Sequence, residues 1–211
     1  MESSRNDIMG RVRARLGRAG AASASRLTEA AAVPLPQVAG DLLERFRLKS
    51  EAQSTTVELV ADWADVPAAV GRYLTGIGLP MAVVGWPLIA GHPWSAAGIA
   101  FAARGAEDAD GVGVTGCYCA IAETGTLMLL SGADTPASVS LLPETHVAVV
   151  AASRIVATME DAWALLRAER GGVPRAVNFV SGPSRTGDIE QTIVLGAHGP
   201  SRVHLVVASG A

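Results

Sequence analysis

Apolar runs of four to seven residues, rich in β-branched side chains, alternate along the chain with segments whose apolar residues recur at helical spacing. The runs are typical of buried strands. We expect strands at residues 55–60, 81–85, 111–116, 126–131, 146–151, 176–180 and 203–208. Helical spacing predicts helices at about 38–49, 66–74 and 159–170. This order, with 49% hydrophobic and 4% aromatic residues, favours an α/β fold.

The third helix has the clearest boundaries. Residues Thr158–Asp161 resemble a capping box, in which the first and fourth side chains bond each other's backbone N–H groups. Gly171 and Gly172 then end the helix. Strands at 146–151 and 176–180 flank this helix, and such spacing predicts a parallel crossover between them.

The N-terminal segment is basic, whereas the whole chain has a net charge of −3. In a predicted helix, Ile8, Met9, Val12 and Leu16 form an apolar stripe between arginines that include Arg5, Arg11, Arg13, Arg15 and Arg18. The stripe could bind an acidic partner or a membrane surface, pack on the same chain as we favour, or belong to a transit peptide. We expect residues 1–36 to form this basic helix and a connector, and residues 37–211 the α/β domain. With no secretory apolar region near the start, we expect a cytoplasmic protein.

Residues Tyr73–Ala103 contain no charged side chain. Three prolines and five glycines divide this stretch into pieces too short to cross a bilayer, so we expect no membrane span. After the strand at 81–85, an irregular apolar loop carries Trp86 and Trp94. The loop is either core or one wall of a pocket, and core is the more common role for a single tryptophan.

Residues Ser181–Gln191 combine small, hydroxyl, basic and acidic side chains between two apolar segments. The segment before them reads as a strand, and Ile189–Leu195 suits a helix. A loop between a strand end and a helix start commonly binds anions, because the first N–H groups of the helix are unpaired. We therefore expect a small anionic ligand here. The candidate binding residues are Thr124, Gly125, Ser181, Gly182, Ser184, Arg185, Thr186, Asp188 and Glu190.

Other chemical motifs are weak. Residues Gly111–Gly116 match the glycine spacing of dinucleotide sites, but more strand-like sequence follows where a helix is needed. Cys117 and Cys119 are the only cysteines, too few for an iron–sulfur cluster or a structural zinc. The histidines show no metal-ligand spacing. We therefore expect no metal and no cofactor in this chain.

Glu123 is the sole charge between Asp110 and Asp134. A carboxylate buried among apolar residues would be a candidate acid, base or nucleophile, and its burial decides between this role and that of an exposed turn residue. His198 lies in a Gly/Pro turn, where it either reaches the ligand or caps the turn. Both are candidate catalytic residues. We expect Glu123 and the bend near Ser184 to converge on one hollow at the carboxyl edge of the sheet.

Several of these segments together resemble the lactate-utilisation protein C family, also called the LUD-domain family. The matching motifs, in family order and spacing, are Gly113–Cys117 with Ala120–Thr126, Ser140–His146, Ser181–Glu190 and Gly196–Pro200. The similarity covers roughly Thr55–Ala208. One departure is Tyr118, since the family pattern leads us to expect an acidic residue after Cys117. If that acid belongs to a site, the site is altered in this chain.

The resemblance implies a three-layer α/β/α fold with a mainly parallel sheet, similar to the sugar-phosphate isomerase and coenzyme A transferase superfamily. It also implies a part in bacterial oxidation of L-lactate to pyruvate, as an accessory subunit beside iron–sulfur partner proteins. The alternative is a stand-alone acyl- or phosphate-ester transferase or isomerase with Glu123 as nucleophile or base. Nucleic-acid binding has little support, because the body of the chain is acidic and the basic segment lacks interleaved aromatics.

Overall fold

A computed structural model describes residues 2–17, 37–189 and 192–210, and divides the chain at residue 36 into two units. The first unit contains helix α1 (Glu2–Arg15). The helices of the second unit are α2 (Leu42–Glu51), α3 (Val66–Gly76), α4 (Ser138–Leu141) and α5 (Met159–Arg170). Its strands are β1 (Thr56–Val60), β2 (Ala82–Gly85), β3 (Ala100–Ala103), β4 (Val112–Thr115), β5 (Cys119–Ile121), β6 (Thr126–Leu130), β7 (Thr145–Ala151), β8 (Ile155–Val156), β9 (Val177–Val180), β10 (Arg185–Ile189), β11 (Thr192–Leu195) and β12 (Arg202–Ala208).

A parallel sheet is the centre of the second unit. In the described part of the chain it has six strands in the order β1-β12-β7-β4-β2-β3, all paired in parallel. The central strands β4, β7 and β12 consist almost entirely of buried residues, which explains why their sequences are mainly apolar. The predicted α/β fold with a mainly parallel sheet is therefore confirmed.

A second sheet was not expected. Among the described residues it has four strands in the order β8-β5-β6-β9, with antiparallel pairing of β6 to both β5 and β9. The strand near 176–180 thus pairs with β6 and not with the parallel sheet. The predicted parallel crossover through α5 is wrong, because β7 and β9 belong to different sheets. Strand, helix and strand spacing cannot reveal which sheet the second strand joins.

The predicted helix over Ile189–Leu195 is also wrong. Strands β10 and β11 form an antiparallel hairpin with an irregular register between Thr186 and Ile189. Residues 192–194 are all β-branched, and β-branched side chains favour extended backbone over helix. The segment is also short for a stable helix. No helix start therefore follows the Ser181 loop.

Capping residues close in sequence predicted both ends of α5 correctly. Thr158 accepts the backbone N–H of Asp161 at 3.2 Å and Asp161 accepts that of Thr158 at 3.0 Å, so the predicted capping box is confirmed. Gly171 ends α5 in the left-handed conformation, as expected. Helix α2 begins at Leu42 and not near Val38, because the Asp41 carboxylate caps it by accepting the N–H groups of Leu43 and Glu44.

The backbone of helix α4 packs directly on strand β4 at Gly113, which has no side chain. A Cβ atom on Gly113 of β4 would lie 2.0 Å from the carbonyl oxygen of Val139. Glycine is therefore required here by close approach of the helix backbone, and not by a phosphate-binding turn. This observation supports the rejection of Gly111–Gly116 as a dinucleotide motif.

The apolar stripe of α1 is exposed: Ile8, Met9, Val12 and Leu16 all keep large accessible surfaces. Arg18 lies outside the described residues. The expected packing of this stripe on the same chain, and the separate role of residues 1–36, stay predictions. Within the described ranges, no helix is both long and apolar enough to cross a bilayer.

Candidate functional site

A cleft lies at the carboxyl edge of the parallel sheet. Trp86 directly follows β2, Cys117 follows β4, and Arg154 lies just after β7; all three line the cleft. The chain runs outward from β2 to β3 and then returns to place β4 on the other side of β2. Between β2 and β4 the strand order therefore reverses, and ligands of open α/β sheets bind in the crevice at such a reversal.

The cleft has a volume of about 850 Å³, within the size range of small-molecule sites. One wall is the loop from Ser131 to Thr135, which the backbone holds close to the loop after β2, since Leu88 N–H donates to the Asp134 carbonyl at 3.4 Å. A second wall is the end of α5 and the residues that follow it, and it is joined to the first, since Ser131 N–H donates to the Ala176 carbonyl at 3.0 Å. The cleft is lined by Trp86, Leu88, Cys117, Tyr118, Leu130, Ser131, Gly132, Ala133, Asp134, Thr135, Arg154, Glu169, Arg170, Gly172, Val173 and Pro174.

Arg154, Glu169 and Tyr118 form a bonded cluster in this cleft. The Arg154 guanidinium makes a bidentate pair with the Glu169 carboxylate, with N–O distances of 2.6 and 2.8 Å. Arg154 Nε donates to the Tyr118 carbonyl at 3.0 Å, and the Tyr118 hydroxyl donates to Glu169 at 2.7 Å. Hydrogen bonds from Arg154 and Tyr118 lower the pKa of Glu169 to about 2. The carboxylate is therefore ionised and satisfied, which suits positioning and not proton transfer near neutral pH.

The two cysteines differ in exposure. Cys119 is buried in β5, with Sγ 3.6 Å from the Met128 sulfur, whereas Cys117 is half-buried and lines the cleft. Cys117 precedes β5, and its Sγ donates back to the Cys119 carbonyl at 2.8 Å. Burial raises the pKa of Cys117 and raises that of Cys119 to about 11. Both thiols are therefore protonated near neutral pH and are poor nucleophiles.

Trp86 serves both roles that its sequence left open. Its side chain is 3% exposed and belongs to the main core, and it also lines the cleft. The indole N–H donates to the Pro136 carbonyl at 3.0 Å, which ties the loop after β2 to the loop before α4. Trp94 is buried and bonds the Ile89 carbonyl in the same way.

The predicted anion loop lies at the other edge of the sheet. Arg185 donates to the Gln53 carbonyl and to the Ser54 hydroxyl, both just before β1. Ser184 N–H donates to the Pro200 carbonyl, just before β12. These are the amino ends of two parallel strands. The expected place at the carboxyl edge is therefore wrong, because β9 belongs to the second sheet and leads the chain away from that edge.

Several predicted binding residues do come together there. The hydroxyl groups of Thr124, Thr126 and Ser181 form a chain with separations of 2.8 and 2.7 Å. A Cβ on Gly125 would lie 2.5 Å from the Ser50 backbone nitrogen, so the turn packs on the end of α2. A Cβ on Gly182 would lie 2.6 Å from the Gln53 carbonyl oxygen. This is the C-terminal end of a helix, where carbonyl groups carry partial negative charge and disfavour an anion.

The remaining predicted residues have varied surroundings. Glu123 is half-buried in the turn between β5 and β6, and His198 is exposed in the loop between β11 and β12. Thr186 is buried at the start of the hairpin. Asp188 lies in β10, and Glu190 lies outside the described residues. Among the predicted site residues that the structure describes, none lines the cleft, and the catalytic or binding roles of all of them stay predictions.

Sequence reasoning missed Arg154, Glu169 and Arg170 because each falls in or beside an element that reads as ordinary surface. They lie at the end of β7 and at the last turn of α5, and only the second sheet brings β7, α5 and Tyr118 together. One signal was present in the sequence, since the family pattern predicts an acidic residue after Cys117 and this chain has Tyr118 there. Tyr118 lines the cleft.

Two histidines are buried on opposite faces of the parallel sheet. His146 Nε2 lies 2.8 Å from the Thr115 hydroxyl, and His204 Nδ1 lies 2.8 Å from the Thr56 hydroxyl, while Tyr73 stacks on the His204 ring with centroids 3.9 Å apart. The second nitrogen of each ring is buried without a hydrogen-bond partner in the structure described here. Burial lowers the pKa of both histidines to about 4. Both rings are therefore neutral near pH 7.

The fold and the cleft define an α/β protein with an open parallel sheet and a crevice at its topological switch point. Residues 93–208 match the family model described as the LUD domain, which is more than half of the chain. The chain therefore belongs to the LUD-domain family, and the resemblance seen in the sequence is confirmed.

Relatives agree with this assignment. The chain is 42% identical over 105 residues to "Lactate utilization protein C" of Bacillus licheniformis, which covers 48% of this chain and 43% of that protein. It is 41% identical over 107 residues to the protein of the same name from Bacillus subtilis, covering 49% and 44%. The matches thus span a little under half the length of these relatives. A crystal structure of a DUF162-family protein from Deinococcus radiodurans is 28% identical, with a TM-score of 0.61, over 82% of this chain and 99% of that one.

Proposed function

We propose that this chain takes part in bacterial oxidation of L-lactate to pyruvate, as a cytoplasmic accessory subunit that acts beside iron–sulfur partner proteins. The observation that carries the proposal is the identity of about 40% to relatives named for lactate utilisation. The motifs that carry the resemblance, from Gly113 to Pro200, belong to the same family.

Electron balance supports a subunit role. Oxidation of lactate to pyruvate removes two electrons and two protons, so an electron acceptor is required. An iron–sulfur cluster needs four ligands, typically Cys thiolates, and this chain has two cysteines. Those two do not fit cluster ligation: Cys119 packs against the Met128 sulfur, Cys117 donates to a carbonyl, and burial disfavours both thiolates. Partner proteins would supply the acceptor.

The exposed stripe of α1 supports a partner-binding role for the first unit. Ile8, Met9 and Val12 are exposed on α1 and Leu16 is exposed just after it, and the helix carries more arginines than acidic residues. An exposed apolar stripe among mainly basic side chains suits an acidic protein partner with its own apolar groove. We propose that residues 1–36 serve as this arm and that residues 37–211 form the LUD-like domain.

Deletion of the gene from its host tests the role in lactate utilisation. We expect loss of growth on L-lactate with normal growth on pyruvate, and recovery of growth with the gene restored. Affinity purification of the tagged full-length chain from lactate-grown cells should recover iron–sulfur proteins and lactate-oxidising activity. Normal growth of the deletion strain on lactate would refute the role, and recovery of the chain alone with a bound phosphate ester or thioester would favour an enzyme instead.

A double variant, Ile8→Ser with Val12→Ser, tests the arm. Since both side chains are exposed, the domain should fold normally while partner recovery falls. Leu59→Ser is a matched control, because Leu59 is an exposed apolar residue of the second unit. Equal partner recovery with both variants would exclude the stripe as the binding surface and leave the growth experiment unaffected.

The stand-alone enzyme with Glu123 as nucleophile or base is the second candidate from the sequence. It requires Glu123 in a closed pocket with Ser184, Arg185 or His198. No observation favours it, since Glu123 lies in a turn and His198 is exposed. The cleft at the switch point is lined by other residues.

A further inference from the structure

We propose that the cleft at the carboxyl edge of the sheet binds a monocarboxylic acid whose apolar part is larger than that of lactate, with its carboxylate on Arg170. The inference rests on the charges, the exposed apolar side chains and the volume of the cleft. It does not depend on the proposed role in lactate utilisation.

The charges of the cleft leave one cation available. Arg154 is occupied on Nε by the Tyr118 carbonyl and on both terminal nitrogens by the Glu169 carboxylate. Separating this pair would leave each charge partly buried without its partner, which is costly. Arg170 lines the same cleft and, among the described residues, makes no ion pair within 4 Å, although its charge helps to lower the pKa of Glu169. Its guanidinium lies 6.0 Å from the centre of the Tyr118 ring, where it can turn toward a ligand.

The same charges limit the ligand to a single negative charge. Asp134 also lines the cleft, where its carbonyl accepts the Leu88 N–H. With Arg154 neutralised by Glu169, Arg170 is the one arginine among the lining residues without an ion pair. A phosphate dianion would need a second such cation and would be repelled by Asp134, whereas a monocarboxylate needs only one, and arginine binds carboxylates with two parallel hydrogen bonds.

The apolar side chains of the cleft need a matching surface. Leu88 and Val173 each keep 65% of their accessible surface in the free protein, and both line the cleft. Leu130, which is half-buried, lines it as well. Exposed apolar groups in one concave site indicate a ligand with an apolar part of its own.

The volume of the cleft indicates how large the apolar part of the ligand can be. A cleft of about 850 Å³ lies in the upper half of the usual range for ligand sites. A three-carbon acid would fill a small part of this volume and leave the rest hydrated. An acid with a longer chain or an aromatic ring would fill more of it and cover more of the apolar lining.

Calorimetric titration of the purified chain tests the proposal, with L-lactate, 2-hydroxyhexanoate and the uncharged 1,2-hexanediol as probes. Each buried methylene strengthens binding by about fourfold, so 2-hydroxyhexanoate should bind roughly 50-fold more tightly than lactate if its three added methylenes are covered. The diol should bind more weakly than the acid. Arg170→Gln should weaken binding of the acid by about tenfold and leave the diol unchanged.

Two further variants keep the test specific. Arg167→Gln removes a charge of the same kind from the preceding turn of α5, outside the cleft, and should not change the affinity. Leu88→Ser should reduce the chain-length preference without unfolding the protein, because Leu88 is exposed. Equal affinity for lactate and 2-hydroxyhexanoate, equal effects of the Arg170 and Arg167 variants, or no binding at millimolar concentration would each overturn the proposal. A growth defect on lactate with no binding would uphold the proposed function and reject this one.

Discussion

Acidification should destabilise this protein through His146 and His204. Both rings are almost fully buried, at 0% and 4% exposure, and each has one nitrogen without a partner. Protonation would therefore place a positive charge in the sheet layers with no carboxylate bonded to it. Burial is the main cause of the lowered pKa of His204, and the attraction of Glu58 opposes it only in part.

The sign and size of the change in unfolding free energy follow from the difference in histidine pKa between the folded and unfolded states. The pKa of each histidine is about 4 in the folded protein, against about 6.5 in an unfolded chain. Between these values the unfolded state binds more protons, so the free energy of unfolding falls as the pH falls from about 6.5 to about 4. At pH 5.5 each histidine should remove about 1.4 kcal/mol relative to pH 7.5, or about 3 kcal/mol together. That is a large part of the stability of an ordinary domain.

Urea unfolding at pH 7.5 and 5.5 measures this loss. His146→Gln should reduce the pH-dependent loss to about half, whatever its effect on stability at pH 7.5, because one titrating group is removed. His198→Gln is the control, since His198 is exposed and should leave the full loss in place. An unfolding free energy that does not change between the two pH values, or an equal loss in both variants, would refute the reasoning.

The other predictions concern packing and capping. Gly113→Ala should destabilise the protein by about 3 kcal/mol in urea unfolding, because the new Cβ meets the Val139 carbonyl oxygen at 2.0 Å in a packed layer. Gly111→Ala, where nothing lies within 4 Å, should change stability by less than about 0.5 kcal/mol, and equal effects would contradict this account. Thr158→Ala should cost about 1 kcal/mol, because the first turn of α5 loses the hydroxyl that accepts the Asp161 N–H. Thermal unfolding would measure this last effect, and an unchanged midpoint would count against the cap.

Strand positions were predictable because a strand buried on both faces needs an unbroken apolar run. Residues 146–151 and 203–208 show this pattern, and β7 and β12 fall there. The boundaries of α5 were predictable for a different reason: caps are bonds between residues close in sequence, such as Thr158 and Asp161. The hairpin β10–β11 was missed because its apolar residues also fit a helix over so short a span.

The position of the anion loop could not be predicted, since it depends on partners far away in sequence. Arg185 lies 132 positions from Gln53, whose carbonyl it bonds. Residue types indicated a polar site, and they are equally suited to a structural junction. The contacts of Arg185, Gly182 and Ser184 place this loop at the amino edge of the parallel sheet.

The sequence by itself determined the α/β class, the parallel strands, the ends of α5 and membership of the LUD-domain family, because these depend on local patterns and short motifs. Only the tertiary structure decided where a ligand can bind. Strands β2, β4 and β7 end beside one another, and the second sheet brings Tyr118, Arg154 and Glu169 together above them. The physical reason is that a cleft forms from the ends of segments that are distant along the chain, and their adjacency is set by strand order and not by any single segment.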